Sequence, residues 1–294
     1  TIGKKMMENP NNLYSYKNLV GIPALEMIDD VASVEKCGVK SLVTNSNINS
    51  YIETKKLTLN DKKCKQIHIG HKNNMCPELK VHGKTIEKTD KEKYLGDQIT
   101  NMCSNKVNIV ARKNKGIGLI SQIITLLDEI CMGGKFYFKA AMGLRESQLI
   151  NGILINSEVW YNVNENDLRE LEEVDEAFLR KILKAHSKTP IESLYLELGC
   201  IPFRYIIMAR RLNYLHYLVK LNNDELLSKF FKAQHEFPTK NDWILTAMEN
   251  LKHLGMNSNI DEIKMKSKLQ FKKEVKRHIR IASFKYLQNS LNQN

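Results

Sequence analysis

Two adjacent aspartates, Asp29 and Asp30, stand between two apolar runs in Ala24-Leu25-Glu26-Met27-Ile28-Asp29-Asp30-Val31-Ala32-Ser33-Val34. A tight β-hairpin reads this way when its turn carries a pair of carboxylates. Such a pair suits a hard divalent cation, because Mg²⁺ takes oxygen ligands. An ordinary surface turn reads the same way, so the dipeptide alone decides nothing. A second group with ligand-type side chains is Cys64, His68, His71, Cys76 and His82. Its spacing, C-x3-H-x2-H-x4-C, is not one of the usual closed zinc patterns. Cys64 and His68 also fall on an expected strand, so core and surface roles are preferred to zinc.

The third chemistry-bearing feature is a run of cations. Lys264, Lys266, Lys268, Lys272, Lys273, Lys276, Arg277, Arg280 and Lys285 have only Glu274 as an acid among them, and Leu269, Phe271, Val275, Ile279, Ala282 and Phe284 interleave. A helix with one packed and one cationic face fits this pattern, and it would meet phosphates without regard to sequence and in a salt-sensitive way. A solvated helix face is the plainer alternative. Arg210 and Arg211, with Lys188 and Arg204, form a candidate second patch. The aromatic residues Trp160, Tyr161, Tyr195, Tyr205, Tyr214 and Tyr217 sit in helical segments and read mostly as core.

These residues need elements to position them. After the polar residues 1–20 and the hairpin at 24–34, residues 38–56 read as a helix whose broken apolar face is Leu42, Val43, Ile48 and Ile52. Cys64 to Gly70 alternates and reads as a strand, and Lys93-Tyr94-Leu95-Gly96-Asp97 reads as another strand entering a glycine turn. From about residue 105 the period becomes helical. Helices are expected over Ile117–Ile130, stopped by Gly133-Gly134, and over Leu144–Trp160. Others are expected over Asp167–Ala185, Arg204–Leu221, roughly Glu225–Gln234, and in the tail. The sequence therefore predicts an α+β N-terminal part over 1–104. Helical units over 105–163 and 164–294 follow, the last of them basic.

The chain has 294 residues and a net charge of +12, from 45 Lys and Arg against 33 Asp and Glu. That excess favours polyanions, nucleic acid first and an anionic membrane second. The six cysteines form no close CxxC pair, and no secretory signal is seen, so the thiols are expected to be reduced and the protein intracellular, nuclear or cytoplasmic. No apolar run approaches the roughly 20 residues that span a bilayer.

Taken in order, six segments resemble the reverse transcriptases of non-LTR retrotransposons from the back half of the palm onward. Gly21 to Ala32 is similar to the family's double-aspartate hairpin, with Met27 and Ile28 where an aromatic and a small residue are commoner. Glu35-Lys36-Cys37-Gly38 and the helix to Lys56 resemble the next palm helix. Leu57-Thr58-Leu59-Asn60-Asp61-Lys62-Lys63-Cys64 resembles the following loop and strand. Lys93-Tyr94-Leu95-Gly96 resembles the primer-grip hairpin. Ala111-Arg112-Lys113-Asn114-Lys115-Gly116 and the helices to Trp160 resemble the thumb. Ala185 to Pro190, through Arg210-Arg211-Leu212, resembles the helical region after it.

The resemblance implies a partial reverse-transcriptase palm, a thumb and a C-terminal helical domain. In the intact enzyme Asp29 and Asp30 would hold Mg²⁺ for two-metal nucleotidyl transfer, and Lys63 would lie near the incoming nucleotide. Tyr94, Leu95 and Gly96 would position the primer end. Arg112, Lys113, Lys115, Arg210, Arg211, Lys272, Lys273, Lys276, Arg277 and Arg280 would contact nucleic acid. The implied partners are an RNA template and a DNA primer. No membrane is implied, and no small-molecule substrate beyond deoxynucleoside triphosphates. The family's third metal carboxylate, its nucleotide-selecting loop and its fingers have no counterpart in this sequence, so polymerisation by this chain alone is not expected. A nuclease core is not expected either, and Asp261-Glu262 with Lys264 reads as a charged helix start. The rival expectation is a non-catalytic nucleic-acid-binding remnant of a mobile element, and a helical interaction scaffold is the third.

Overall fold

The computed structural model describes residues 15–16, 20–21, 25–27, 30–34, 38–69, 77–130, 135–160, 163–239 and 242–293. The described residues are mostly helical with a few small strands. Two compact units result. One comprises residues 1–104 with Asn223–Glu236, and the other comprises Asn105–Asn222 with Phe237–Asn294.

The first unit is built from two-stranded pairs. β1 (Ser15–Tyr16) pairs with β2 (Val20–Gly21), and β3 (Leu25–Met27) pairs antiparallel with β4 (Asp30–Ala32). Helix α1 (Gly38–Lys55) follows. Its expected apolar face is corrected: Ile52 is buried, but Leu42 and Val43 face solvent and Thr44 lies inside instead. A 3₁₀ turn, Asp61–Lys63, leads to β5 (Lys65–Gln66), which pairs in parallel with β8 (Glu87–Lys88). The long alternating strand expected over 64–70 is thus only two residues here. β6 (Lys80–Val81) pairs with β7 (Lys84–Thr85), and β9 (Lys91–Tyr94) pairs with β10 (Asp97–Thr100). The Asn45 and Asn49 side-chain amides both donate to the Lys80 carbonyl, at 2.9 and 2.7 Å, and tie α1 to β6.

The second unit has a continuous apolar core. α2 (Lys106–Ile130) begins eleven residues before the helix expected from Ile117, and its glycine stop at 133–134 lies outside the described residues. α3 (Lys135–Leu144) runs on through a π-helical segment, Arg145–Ile150, into the short α4 (Asn151–Ile153). The helix expected to reach Trp160 ends here, and residues 154–160 form turns, with Asn156 at φ +59°. α5 (Glu165–Leu183) follows the sequence expectation to within two residues at each end. A reciprocal Asn164–Asp167 capping box starts it, and left-handed Lys184 ends it. Its stripe of Leu171, Val174, Phe178 and Ile182 is buried as the spacing required. Each such side chain contributes about 1.5–3 kcal/mol of transfer free energy.

α6 (Ile191–Glu197), α7 (Phe203–Lys220) and α9 (Trp243–His253) also belong to this unit, whereas α8 (Leu226–Glu236) belongs to the first. The tail forms two helices, α10 (Ile260–Met265) and α11 (Lys268–Leu291), separated at Ser267, which caps α11 through Gln270. Ile109, Leu149, Phe178, Phe203 and Leu287 belong to one hydrophobic cluster. The sequence boundary expected at 163/164 therefore runs through a shared core. No described helix is long and apolar enough to cross a membrane.

Candidate nucleic-acid interface

In the first unit the antiparallel register of β3 and β4 sets Met27 opposite Asp30. Asp29 lies outside the described residues, and Asp30 is described through its backbone alone. Lys63 is exposed at the end of the 3₁₀ turn, where its N–H donates to the Asn60 carbonyl at 3.0 Å. In the same turn the Lys84 ammonium lies 2.6 Å from Asp61 and holds that carboxyl below its usual range.

The β9–β10 hairpin has Tyr94 opposite Asp97, so Leu95 and Gly96 form a two-residue turn. Both are left-handed, with φ +47° and +91°. That is the signature of a type I′ turn, which suits Asn-Gly and strains a leucine. Leu95 is also largely exposed. Of the histidine and cysteine group, His71 and Cys76 lie outside the described residues. Among the described residues no three His, Cys, Asp or Glu side chains gather as a metal-binding group.

In the second unit the predicted cations separate into two sets. α11 buries Phe271, Val275, Ile279, Ser283 and Leu287, one residue per turn. The other side exposes Lys268, Lys272, Lys273, Lys276, Arg277, Arg280 and Lys285. Glu274 is taken by Lys266, 2.7 Å away, and no ion pair among the described residues reaches the seven exposed cations. Lys272 to Arg280 spans about 12 Å of helix at 1.5 Å per residue, so five cations line little more than two turns. His278 donates its Nδ1–H to the Leu254 carbonyl at 2.9 Å, which anchors the opposite side of the helix.

The other predicted cations turn inward or are already paired. Lys113 is held 2.7 Å from Glu173, whose hydrogen bond raises the ammonium pKa, and Lys115 is exposed. Arg204 is tied to Glu172 and Glu165 and lies over the Tyr286 ring. Arg112 is buried, donates to Asn108 Oδ1 and the Ile153 carbonyl, and covers the Trp160 ring at 5.2 Å. Arg210 donates to the Leu154 carbonyl and to Asn151 Oδ1. Arg211 is 4% exposed and donates to Asn250 Oδ1 and the Trp160 carbonyl, each at 2.8 Å. Arg112 and Arg211, expected to contact nucleic acid, bury their guanidiniums against the 151–160 segment and bond its carbonyls, a scaffolding role that keeps them from the surface where a duplex backbone would lie. Arg210 shares that role from a half-buried position.

The sequence reading missed a buried pair. Arg145, on the π-helical segment, bonds Asp175 through two nitrogens, with Nε to Oδ1 at 2.7 Å. Tyr195 donates its hydroxyl to Asp175 Oδ2 at 2.9 Å. Burial works against the Arg145 charge, yet the Asp175 carboxylate outweighs it and raises the guanidinium pKa. Asp175 interrupts the apolar stripe of α5 next to Val174, and that was the available signal. An acid on a buried face needs a partner.

No family model matches the chain, and neither a known protein nor a solved structure matches it.

Proposed function

We propose that this chain is the rear-palm, thumb and following helical portion of a retrotransposon RNA-directed DNA polymerase, and that it grips a primer–template duplex through its backbone phosphates. The cationic ribbon of α11 carries the nucleic-acid part of this reading: seven exposed Lys and Arg side chains on one helix, with no ion pair among the described residues. The polymerase part rests on order along the chain. A hairpin reaches Asp30 beside its turn, the basic Asp61–Lys63 turn follows, and the strained Leu95–Gly96 hairpin comes third. Two adjacent carboxylates at a hairpin turn are the hard oxygen donors that Mg²⁺ requires. Asp29 and Asp30 would hold it, and bound there it would supply charge neutralisation for the attacking and leaving oxygens.

The test is fluorescence anisotropy with a labelled RNA–DNA primer–template between 50 and 300 mM salt. Affinity is expected to fall steeply with salt, and Lys272→Glu with Lys276→Glu and Arg280→Glu should flatten the slope by about three units. Salt-independent binding, or none, points to the interaction scaffold. A photoreactive nucleotide at the primer 3′ end then separates the remaining readings. Cross-links to residues 25–32 or 94–96 sustain the polymerase assignment. Cross-links confined to α11 leave the nucleic-acid-binding remnant.

A further inference from the structure

A second site emerges from buried polar atoms that the packing leaves over. Three buried side-chain atoms, Ser157 Oγ, Trp160 Nε1 and Arg211 Nε, lack a hydrogen-bond partner among the described residues. Ser157 and Trp160 lie in the one turn segment at 154–160, and Arg211 is bonded to that segment through the Trp160 carbonyl. Their exposures are 0%, 4% and 4%, so bulk solvent does not reach these residues. A buried donor left unmade costs the desolvation of that group, and native proteins carry few of them.

The chemistry of the three atoms is one-sided. An arginine Nε–H and an indole N–H can only donate, and a serine hydroxyl can donate as well. One water offers two lone pairs and brings two protons that themselves need acceptors, so it answers this set poorly. An oxyanion offers many lone pairs and no obligatory proton. Charge points the same way. Arg211 forms no ion pair among the described residues, and its two bonded nitrogens meet the neutral Asn250 amide oxygen and a backbone carbonyl. Arg112 lies over the Trp160 ring, and Arg210 bonds the Leu154 carbonyl. Three guanidiniums therefore surround one short segment. Burial alone pulls the Arg211 pKa down to about 10, as expected of a buried cation lacking a counter-ion.

We propose that the 154–160 turn and Arg211 form a binding site for a small oxyanion of the phosphate class, which would receive hydrogen bonds from Arg211 Nε, Trp160 Nε1 and Ser157 Oγ. Exposed Ile155 and Val159 mark the solvent side of the same turn, so the segment that would open to admit the anion is at the surface. The site is separate from the α11 ribbon, and its test does not depend on the polymerase reading.

The experiment is thermal unfolding of the full chain in sodium phosphate, against sodium chloride at equal ionic strength. Specific binding should raise the midpoint by about 4 °C at phosphate concentrations around one hundred times the dissociation constant. Intrinsic emission gives a second readout. The chain has two tryptophans, and Trp243→Phe leaves Trp160 as the reporter, whose emission should change saturably with phosphate. Ser157→Ala, which removes one small hydroxyl, should weaken the apparent affinity about tenfold, and Arg211→Met should abolish it. If Arg211→Met does not fold, Ser157→Ala decides. Equal midpoints in phosphate and chloride, or a phosphate effect unchanged in Ser157→Ala, would overturn the proposal. A 5′-phosphorylated oligonucleotide that reproduces the Trp160 change, where its unphosphorylated twin does not, identifies a strand end as the source. Phosphate acting without it identifies the free ion.

Discussion

The two units solve opposite problems. The first holds two-stranded pairs whose register is set by turns and by local polar contacts, with Ile52, Val81, Phe231 and Ala233 as its buried apolar side chains among the described residues. The second organises α2, α5, α6 and α7 around Leu149, Phe178 and Phe203, and buries the Arg145–Asp175 pair beside them. Isolated two-stranded pairs are marginal in water, whereas a helical core gains stability with every apolar turn buried. The candidate polymerase residues Lys63, Tyr94, Leu95 and Gly96 all sit in the first unit, on turns or at the strand end that enters one. The polymerase-like features thus rest on the part of the chain with the smaller apolar core, and the cationic ribbon of α11 on the part with the larger one.

The largest expected effect lies in the second unit. Asp175→Asn strands the Arg145 guanidinium, which is 3% exposed, without its counter-charge. Removing one partner of a buried pair costs about 3–5 kcal/mol, and urea unfolding followed by Trp160 and Trp243 emission should show it. The double variant Arg145→Met with Asp175→Leu should recover most of the loss. If Asp175→Asn costs less than about 1 kcal/mol, the pair is not what fixes α5 against the π-helical segment. Next in size is Gly116→Ala. A Cβ there would meet Val174 Cγ1 at 2.6 Å and Ile153 Cδ1 at 2.7 Å, so α2 approaches α5 at a spot with no room for a methyl group. Overpacking of this kind costs about 1–3 kcal/mol. By contrast, Asn45→Ala with Asn49→Ala in the first unit should leave that urea transition in place and speed amide exchange locally at β6.

Alkaline pH sharpens the same contrast. Burial pushes the Cys200 thiol from 9.0 up to about 11 and the Tyr205 phenol from 10.0 up to about 12. Both groups ionise sooner in the unfolded chain, so their contribution is complete below about pH 9 and is lost as pH rises through 11 and 12. Stability of the second unit should therefore fall from pH 9 upward. Tyr205→Phe should make the fall shallower, and an unchanged slope would remove Tyr205 from this account.

What the sequence made legible follows the same division. Asp167 to Ala185 announced α5 because its apolar residues recur at three and four, with acids early and bases late, and burial then acts on that stripe. The basic tail announced α11 for the same reason, although Ser267 starts a new helix that the cation run concealed. Periodicity could not show that Arg112, Arg210 and Arg211 turn inward. Sequence gives a residue's place on its helix, whereas the carbonyls that attract those guanidiniums belong to a turn forty to sixty residues away. The strand expected over 64–70 failed because alternation predicts a strand only where a partner strand and a buried face exist, and β5 finds its partner over two residues. Of the expected Asp29–Asp30 hairpin, the pairing of Leu25–Met27 with Asp30–Ala32 is described and Asp29 lies outside the described residues.

The smallest effect tests whether strain in the first unit serves a partner. Leu95 holds φ +47° in a two-residue turn, a conformation that costs a leucine about 1–2 kcal/mol. Leu95→Asn supplies the residue such a turn prefers and should slow amide exchange across Lys91–Thr100 by a few-fold, consistent with a gain of about 0.5–1 kcal/mol. If the turn meets a primer end, the same substitution should weaken primer–template affinity while stabilising the hairpin, because the exposed leucyl side chain is then a contact. A variant that is stabler and binds unchanged would make Leu95 a tolerated surface residue. It would also remove one of the three chain-order features on which the polymerase reading rests, leaving the α11 ribbon to carry nucleic-acid binding alone.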